Sequence, residues 1–199
     1  MVRKRKLGQK RGKMNSRYAV STPTYLELPG MIGTGVNGWR SSLTDRIIPY
    51  LLQKWLGHYD LAASGGKVVQ VHLDNCSYLF DTGPDRLIAA WGIGEGRFSG
   101  ERDEDRIRKY PIWARPLYHA GHAIPHRFGG GLDINLTAQL GSINGGPFRV
   151  LENRAVKTVS SLYFTYWMYA LRPNAQKASR VQQGLLMCGR QPEVRAFNN

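Results

Sequence analysis

The chain is poor in cysteine: Cys76 and Cys188 are the only two among 199 residues. A single bridge at most could form, which excludes a disulfide-stapled scaffold. Long apolar runs are also missing. The longest charge-free apolar stretch, Thr158 to Leu171, has 14 residues, against the roughly 18 to 20 that a membrane-spanning helix needs. Acid is scarce, with 14 Asp and Glu against 28 Lys and Arg for a net charge of +14, and the first acid is Glu27. No apolar core follows the basic N-terminal residues, so a secretory signal is not expected. Aromatics are not scarce: at 11%, within 42% hydrophobic residues, they exclude a wholly disordered chain and allow one real core.

The charge that is present is uneven. Arg3, Lys4, Arg5, Lys6, Lys10, Arg11, Lys13 and Arg17 give the first 26 residues +8, leaving +6 for the other 173. Cations so crowded repel one another and build no apolar face, so residues 1–26 are expected to form a basic arm, disordered when free. Neutralising phosphates releases condensed counterions, so these eight residues are the candidate nucleic-acid contacts. A nuclear localisation signal or an organellar targeting peptide would use a similar cluster.

Residues 27–199 are expected to form a single β-rich domain. Ser21 to Gly30 has two prolines and a glycine and reads as a hinge. Ile47, Ile48, Leu51, Leu52, Trp55 and Leu56 recur at helical spacing, which predicts one helix within Asp45 to Leu61, capped by Thr44 or Asp45 and ended by Gly57. Lys67 to Phe80 alternates as a half-buried strand, and Arg86 to Gly92, Leu132 to Leu140 and Phe148 to Leu151 read as further strands. Val156 to Leu171 reads as one long strand or two short ones, with a helix as its alternative. The tail from Arg172 is polar and reads as loop. Short strands joined by Gly, Pro and Asn turns predict a mainly β chain, an antiparallel β-sandwich with one helix.

Chemical motifs are weak. Gly33, Gly35 and Gly38 match a dinucleotide fingerprint in spacing but lack the strand that must precede it, and the Gly92, Gly94 and Gly96 cluster reads as a turn. His119, His122 and His126 are the best metal candidates, although Gly121 and Pro125 break any helix that would align them. Arg102 and Arg106 interrupt the acids at 101–105 and argue against calcium. No nucleophile elbow is present. The sequence therefore predicts no enzyme, no cofactor and no small-molecule substrate. The aromatic run Tyr163, Phe164, Tyr166, Trp167 and Tyr169 reads as core or subunit contact rather than a base-stacking platform.

The basic arm, the segment Ile32-Gly33-Thr34-Gly35-Val36-Asn37-Gly38-Trp39-Arg40, and Phe148-Arg149-Val150-Leu151-Glu152-Asn153-Arg154 with the β-rich run to Leu171 together resemble single jelly-roll coat proteins of small icosahedral viruses, of the satellite or circular single-stranded DNA type. The resemblance implies a jelly-roll-like capsid protein that packages nucleic acid through its arm and assembles as a homo-oligomer, in a virion and in the host nucleus or cytoplasm. Trp113, Tyr118, Tyr166 and Trp167 are the expected interface residues. The alternative is an RNA-binding structural protein of a mitochondrial ribosome among neighbouring proteins, favoured by 19 Arg against 9 Lys because arginine suits bidentate phosphate contacts. A third reading is an accessory subunit of a mitochondrial membrane complex, with residues 158–171 as a short span.

Overall fold

The computed structural model describes residues 22–32, 37–59, 67–100, 104–109, 117–170 and 177–199. Eight strands dominate these residues: β1 (Val68–Leu73), β2 (Cys76–Asp81), β3 (Arg86–Ile93), β4 (Tyr118–His122), β5 (Leu136–Leu140), β6 (Leu162–Met168), β7 (Arg180–Leu186) and β8 (Glu193–Asn198). Six form one sheet in the order β1-β2-β3-β6-β7-β8, while β4 and β5 form a separate hairpin. Every pairing is antiparallel. The sheet is not closed, and β1 and β8 are its edges. Sheet neighbours are also sequence neighbours except at β3 and β6, between which the hairpin is inserted.

Both faces of the sheet are covered, and strand alternation shows how. In β6, Leu162, Phe164, Tyr166 and Met168 point to one core, while Tyr163 and Trp167 point to the other. The first core is closed by the short helices α1 (Leu28–Met31) and α2 (Trp39–Ser42) and by the longer α3 (Ile48–His58). The fourth helix, α4 (Glu104–Lys109), lies in the excursion after β3. Residues from the hairpin region, α5 (Gly141–Asn144) and α6 (Phe148–Lys157) build the second core. The mainly β, antiparallel expectation therefore holds. In place of two stacked sheets, helices cover one face of a single sheet, and the hairpin with α6 covers the other.

The predicted helix is α3, entered through a π-helical turn at Leu43–Ile47. Ile47, Leu51 and Trp55 are fully buried at i, i+4 and i+8. Thr44 does not cap it; its hydroxyl donates back to the carbonyls of Ser41 and Arg40. Gly57 lies inside the helix, which runs to His58.

Several predicted elements change. The strand expected over 67–80 is a hairpin, turned at Asp74, whose φ is +51°. Within 132–140 only Leu136–Leu140 is strand, because Asp133–Asn135 forms a 3-10 turn. Phe148 to Leu151 is not a strand but the start of α6, where Phe148, Leu151 and Ala155 present one buried stripe at helical spacing. Four residues are too few to distinguish that period from a strand's. The tail is not loop-like either, since it supplies β7 and β8. Gln183, buried in β7, donates to Phe148 O at 2.8 Å and to Tyr163 Oη at 2.7 Å. Buried glutamines anchored in this way hide a core strand behind polar letters.

The expected hinge is also corrected, from residue 22 onward. Tyr25 Oη donates to Gln182 Oε1 at 2.6 Å and accepts from Trp55 Nε1 at 3.0 Å, while Gln182 Nε2 donates to Pro23 O at 2.9 Å. With Leu28 fully buried, this segment is clamped to the sheet. Tyr25, assigned by charge to the arm, belongs to the core.

Candidate functional site in the hairpin–helix insertion

Residues 117–160 form a hairpin followed by a helix, laid over one sheet face. They carry three of the five histidines. The three do not converge. His119 and His122, three apart on β4, point to opposite faces of the hairpin. His119 pairs in register with Gln139, is exposed and lies against the Gly141 backbone. His122 pairs with Leu136 and is only 8% exposed. Its ring centroid is 6.5 Å from that of His126. His126 in turn meets Phe98 edge-on at 5.6 Å and hydrogen-bonds Gly100 O at 3.0 Å. Among the described residues, no group of three or more His, Cys, Asp or Glu is placed to hold a metal ion. The three-histidine metal candidate is therefore not assembled.

The backbone around His122 is tightly fixed. Asn135, fully buried at the foot of β5, accepts from Ile124 N at 2.7 Å and donates to Ile124 O at 2.8 Å and Gly131 O at 2.9 Å. A Cβ on Gly130 would stand 2.0 Å from Ile124 O, so only glycine allows this approach. On the other face, the Gln139 side chain lies over Gly121. Gln139 is fully buried, and neither amide atom has a hydrogen-bond partner. Buried polar groups left in this state are uncommon.

The same insertion carries a carboxyl on α6. Glu152 is half-buried, and burial pushes its pKa up to about 7, with Arg149 opposing. Its charge helps to raise the Tyr163 phenol, whose main cause is burial. The Tyr163 ring packs 5.7 Å from Phe128, two residues beyond His126 in the turn that α6 contacts. Exposed Arg127 lies in that turn, and exposed Arg149 lies three residues before Glu152.

Comparison with protein-family models and with curated protein sequences gives no match to this chain. Function therefore has to be argued from the residues.

The other predicted site residues fare differently. Arg3, Lys4, Arg5, Lys6, Lys10, Arg11, Lys13, Arg17 and Trp113 lie outside the described residues. Tyr118 is half-buried, with the Lys177 ammonium 4.6 Å over its ring. Tyr166 and Trp167 are not available as interface residues, being 1% and 0% exposed in the two cores of this chain. The run at 158–171 is likewise no span: its centre is the buried strand β6, and no described helix is long and apolar enough to cross a membrane. Glu152 and Gln139 were not singled out by the sequence. The available signal was a lone acid beside Leu151 on the apolar stripe of a helix, but that stripe had been assigned to a strand.

Proposed function

We propose that the protein is a nucleic-acid-cleaving hydrolase, with His122 as general base and Glu152 as proton donor to the leaving oxygen. This reverses the sequence expectation of a non-enzyme. Supporting it are two groups of the 117–160 insertion, the buried imidazole of His122 on β4 and, on α6, the half-buried carboxyl of Glu152, whose pKa burial pushes up to about 7. Groups so poised suit acid–base work. In the step, water attacks phosphorus and yields its proton to His122 while the opposite P–O bond breaks. Glu152 protonates the departing oxygen. Arg127 and Arg149 supply exposed cations for flanking phosphates, and the net charge of +14 favours a polyanion. The test is incubation of the full chain with labelled DNA and RNA, magnesium present as their counter-cation. Endonucleolytic products that disappear in His122→Ala support the reading. Intact substrate with both nucleic acids overturns it.

The eight cations of the arm favour a second reading, a non-catalytic structural binder. Its capsid form asks for a jelly-roll body, and its ribosomal form asks for a surface domain with a threaded arm. Both draw chiefly on the arm; the described body is one six-stranded antiparallel sheet with α1 to α3 on one face and the hairpin with α6 on the other. Uniform particles in electron microscopy of the recombinant protein would favour the capsid, and copurification with ribosomal RNA would favour the ribosome.

A further inference from the structure

A cavity of about 350 Å³ opens between the sheet and the hairpin, at the end of the sheet where β2 turns into β3. That volume lies within the range of small-molecule sites. Leu87, Trp167 and Tyr169 line it from the sheet side, and Leu136 lines it from β5. Tyr169 is fixed in place: its hydroxyl donates to Leu87 O at 2.8 Å, and the Arg86 guanidinium stacks 4.9 Å from its ring centroid. Two exposed carboxylates, Asp85 and Asp133, complete the lining. Thr137, 9% exposed, also borders the cavity, and its buried hydroxyl has no hydrogen-bond partner.

We propose that this cavity binds a small aromatic amine, with the ring against Phe80 and Tyr169, both half-buried in the lining, and the ammonium between Asp85, Asp133 and the Thr137 hydroxyl. The chemistry selects both parts of the ligand. A largely apolar space with aromatic rings in its wall takes a ring. Asp85 and Asp133 put two carboxylates on the lining, beside the Arg86 guanidinium held on the Tyr169 ring, while charges beyond about 8 Å are screened at physiological salt. The two carboxylates repel phosphate, which separates this cavity from any nucleic-acid track. The Thr137 oxygen can accept one ammonium N–H that would otherwise lose its water. This inference does not depend on the hydrolase reading.

The test is a titration of the ¹⁵N-labelled full chain with tryptamine, a cation at neutral pH. Indole-3-propionate, of similar ring and reach but opposite charge, serves as the control. Tryptamine should bind saturably, shift the Leu87 and Thr137 amides, and outcompete the anion by about tenfold or more, as expected where one charge-assisted contact is gained rather than opposed. Asp85→Asn and Asp133→Asn should each weaken tryptamine binding several-fold. Asparagine is the replacement of choice because Asp85 and Asp133 have φ of +58° and +55°, a region asparagine tolerates. Should either variant fail to fold, the charge preference of the unaltered chain still decides. Equal affinity for cation and anion, shifts confined to residues away from the cavity, or no saturable binding of tryptamine would overturn the proposal. None of these outcomes bears on cleavage of nucleic acid, which is read at His122.

Discussion

Asn135 holds Ile124 by both ends of its backbone, accepting from its N–H at 2.7 Å and donating to its carbonyl at 2.8 Å. The side chain thus imitates a strand partner for the residue two beyond His122. Asn135→Ala strands two backbone groups of a buried loop, each worth about 1–3 kcal/mol when left unpaired. Asn135→Asp should be worse at neutral pH, because a carboxylate would then face the Ile124 carbonyl. Urea denaturation should show both losses in that order.

Gly130 tests the same loop sterically. In Gly130→Ala the new methyl would collide with Ile124 O, a backbone atom that cannot swing away. The substitution should destabilise the protein by a few kcal/mol, at least ~2, through forced backbone displacement. An unchanged melting temperature would mean the loop is looser than described.

Glu152 gives stability a pH dependence of unusual sign. Its folded pKa, about 7, lies above the ordinary carboxylate value, so between about pH 4.5 and 7 the folded state holds the proton that the unfolded state has lost. Its contribution to stability should fall as pH rises through that window. Glu152→Gln should remove the slope and stabilise the protein above neutrality by roughly 2–3 kcal/mol. Denaturation midpoints measured across this range for both proteins check the sign. If Glu152 also donates a proton in catalysis, Glu152→Gln should flatten the alkaline limb of the cleavage profile.

His122→Ala should lower cleavage by about 100-fold or more, the usual contribution of a general base, while nucleic-acid affinity stays unchanged. Single-turnover cleavage and a gel-shift titration separate the two. Equal losses in both would make His122 a structural residue.

Removing residues 1–20 deletes all eight arm cations. For duplex DNA the slope of log affinity against log salt should become shallower by up to about 7. Cleavage at saturating substrate should persist, since the proposed site lies wholly in residues 117–160. An unchanged salt slope would show that the arm does not touch phosphate.

Periodicity was easiest to read where one face alone was apolar. The helix at Ile48–His58 and the strand at Leu136–Leu140 were visible in this way, whereas Arg86–Ile93, buried on both faces, was visible as an apolar run between turns. It failed where polar side chains were buried and hydrogen-bonded into the core, as at Gln182 and Gln183 of β7. It also failed where an apolar fragment was too short to show a period, as at Phe148. That second failure hid Glu152, because reading α6 as a strand obscured the helix on which it sits half-buried.

The amino-acid order by itself determined the excess of positive charge, its concentration in the first 26 residues, and the dominance of β structure. Each follows from residue type and local alternation, which need no distant partner. Tertiary structure alone decided that Asn135 clamps the Ile124 backbone two residues beyond His122, that Tyr25 is core rather than leash, and that Tyr166 and Trp167 face inward on opposite sides of the sheet. Those facts depend on which strand pairs with which and on what covers each face. Such long-range contacts are fixed by packing of the whole chain, not by any single stretch of it.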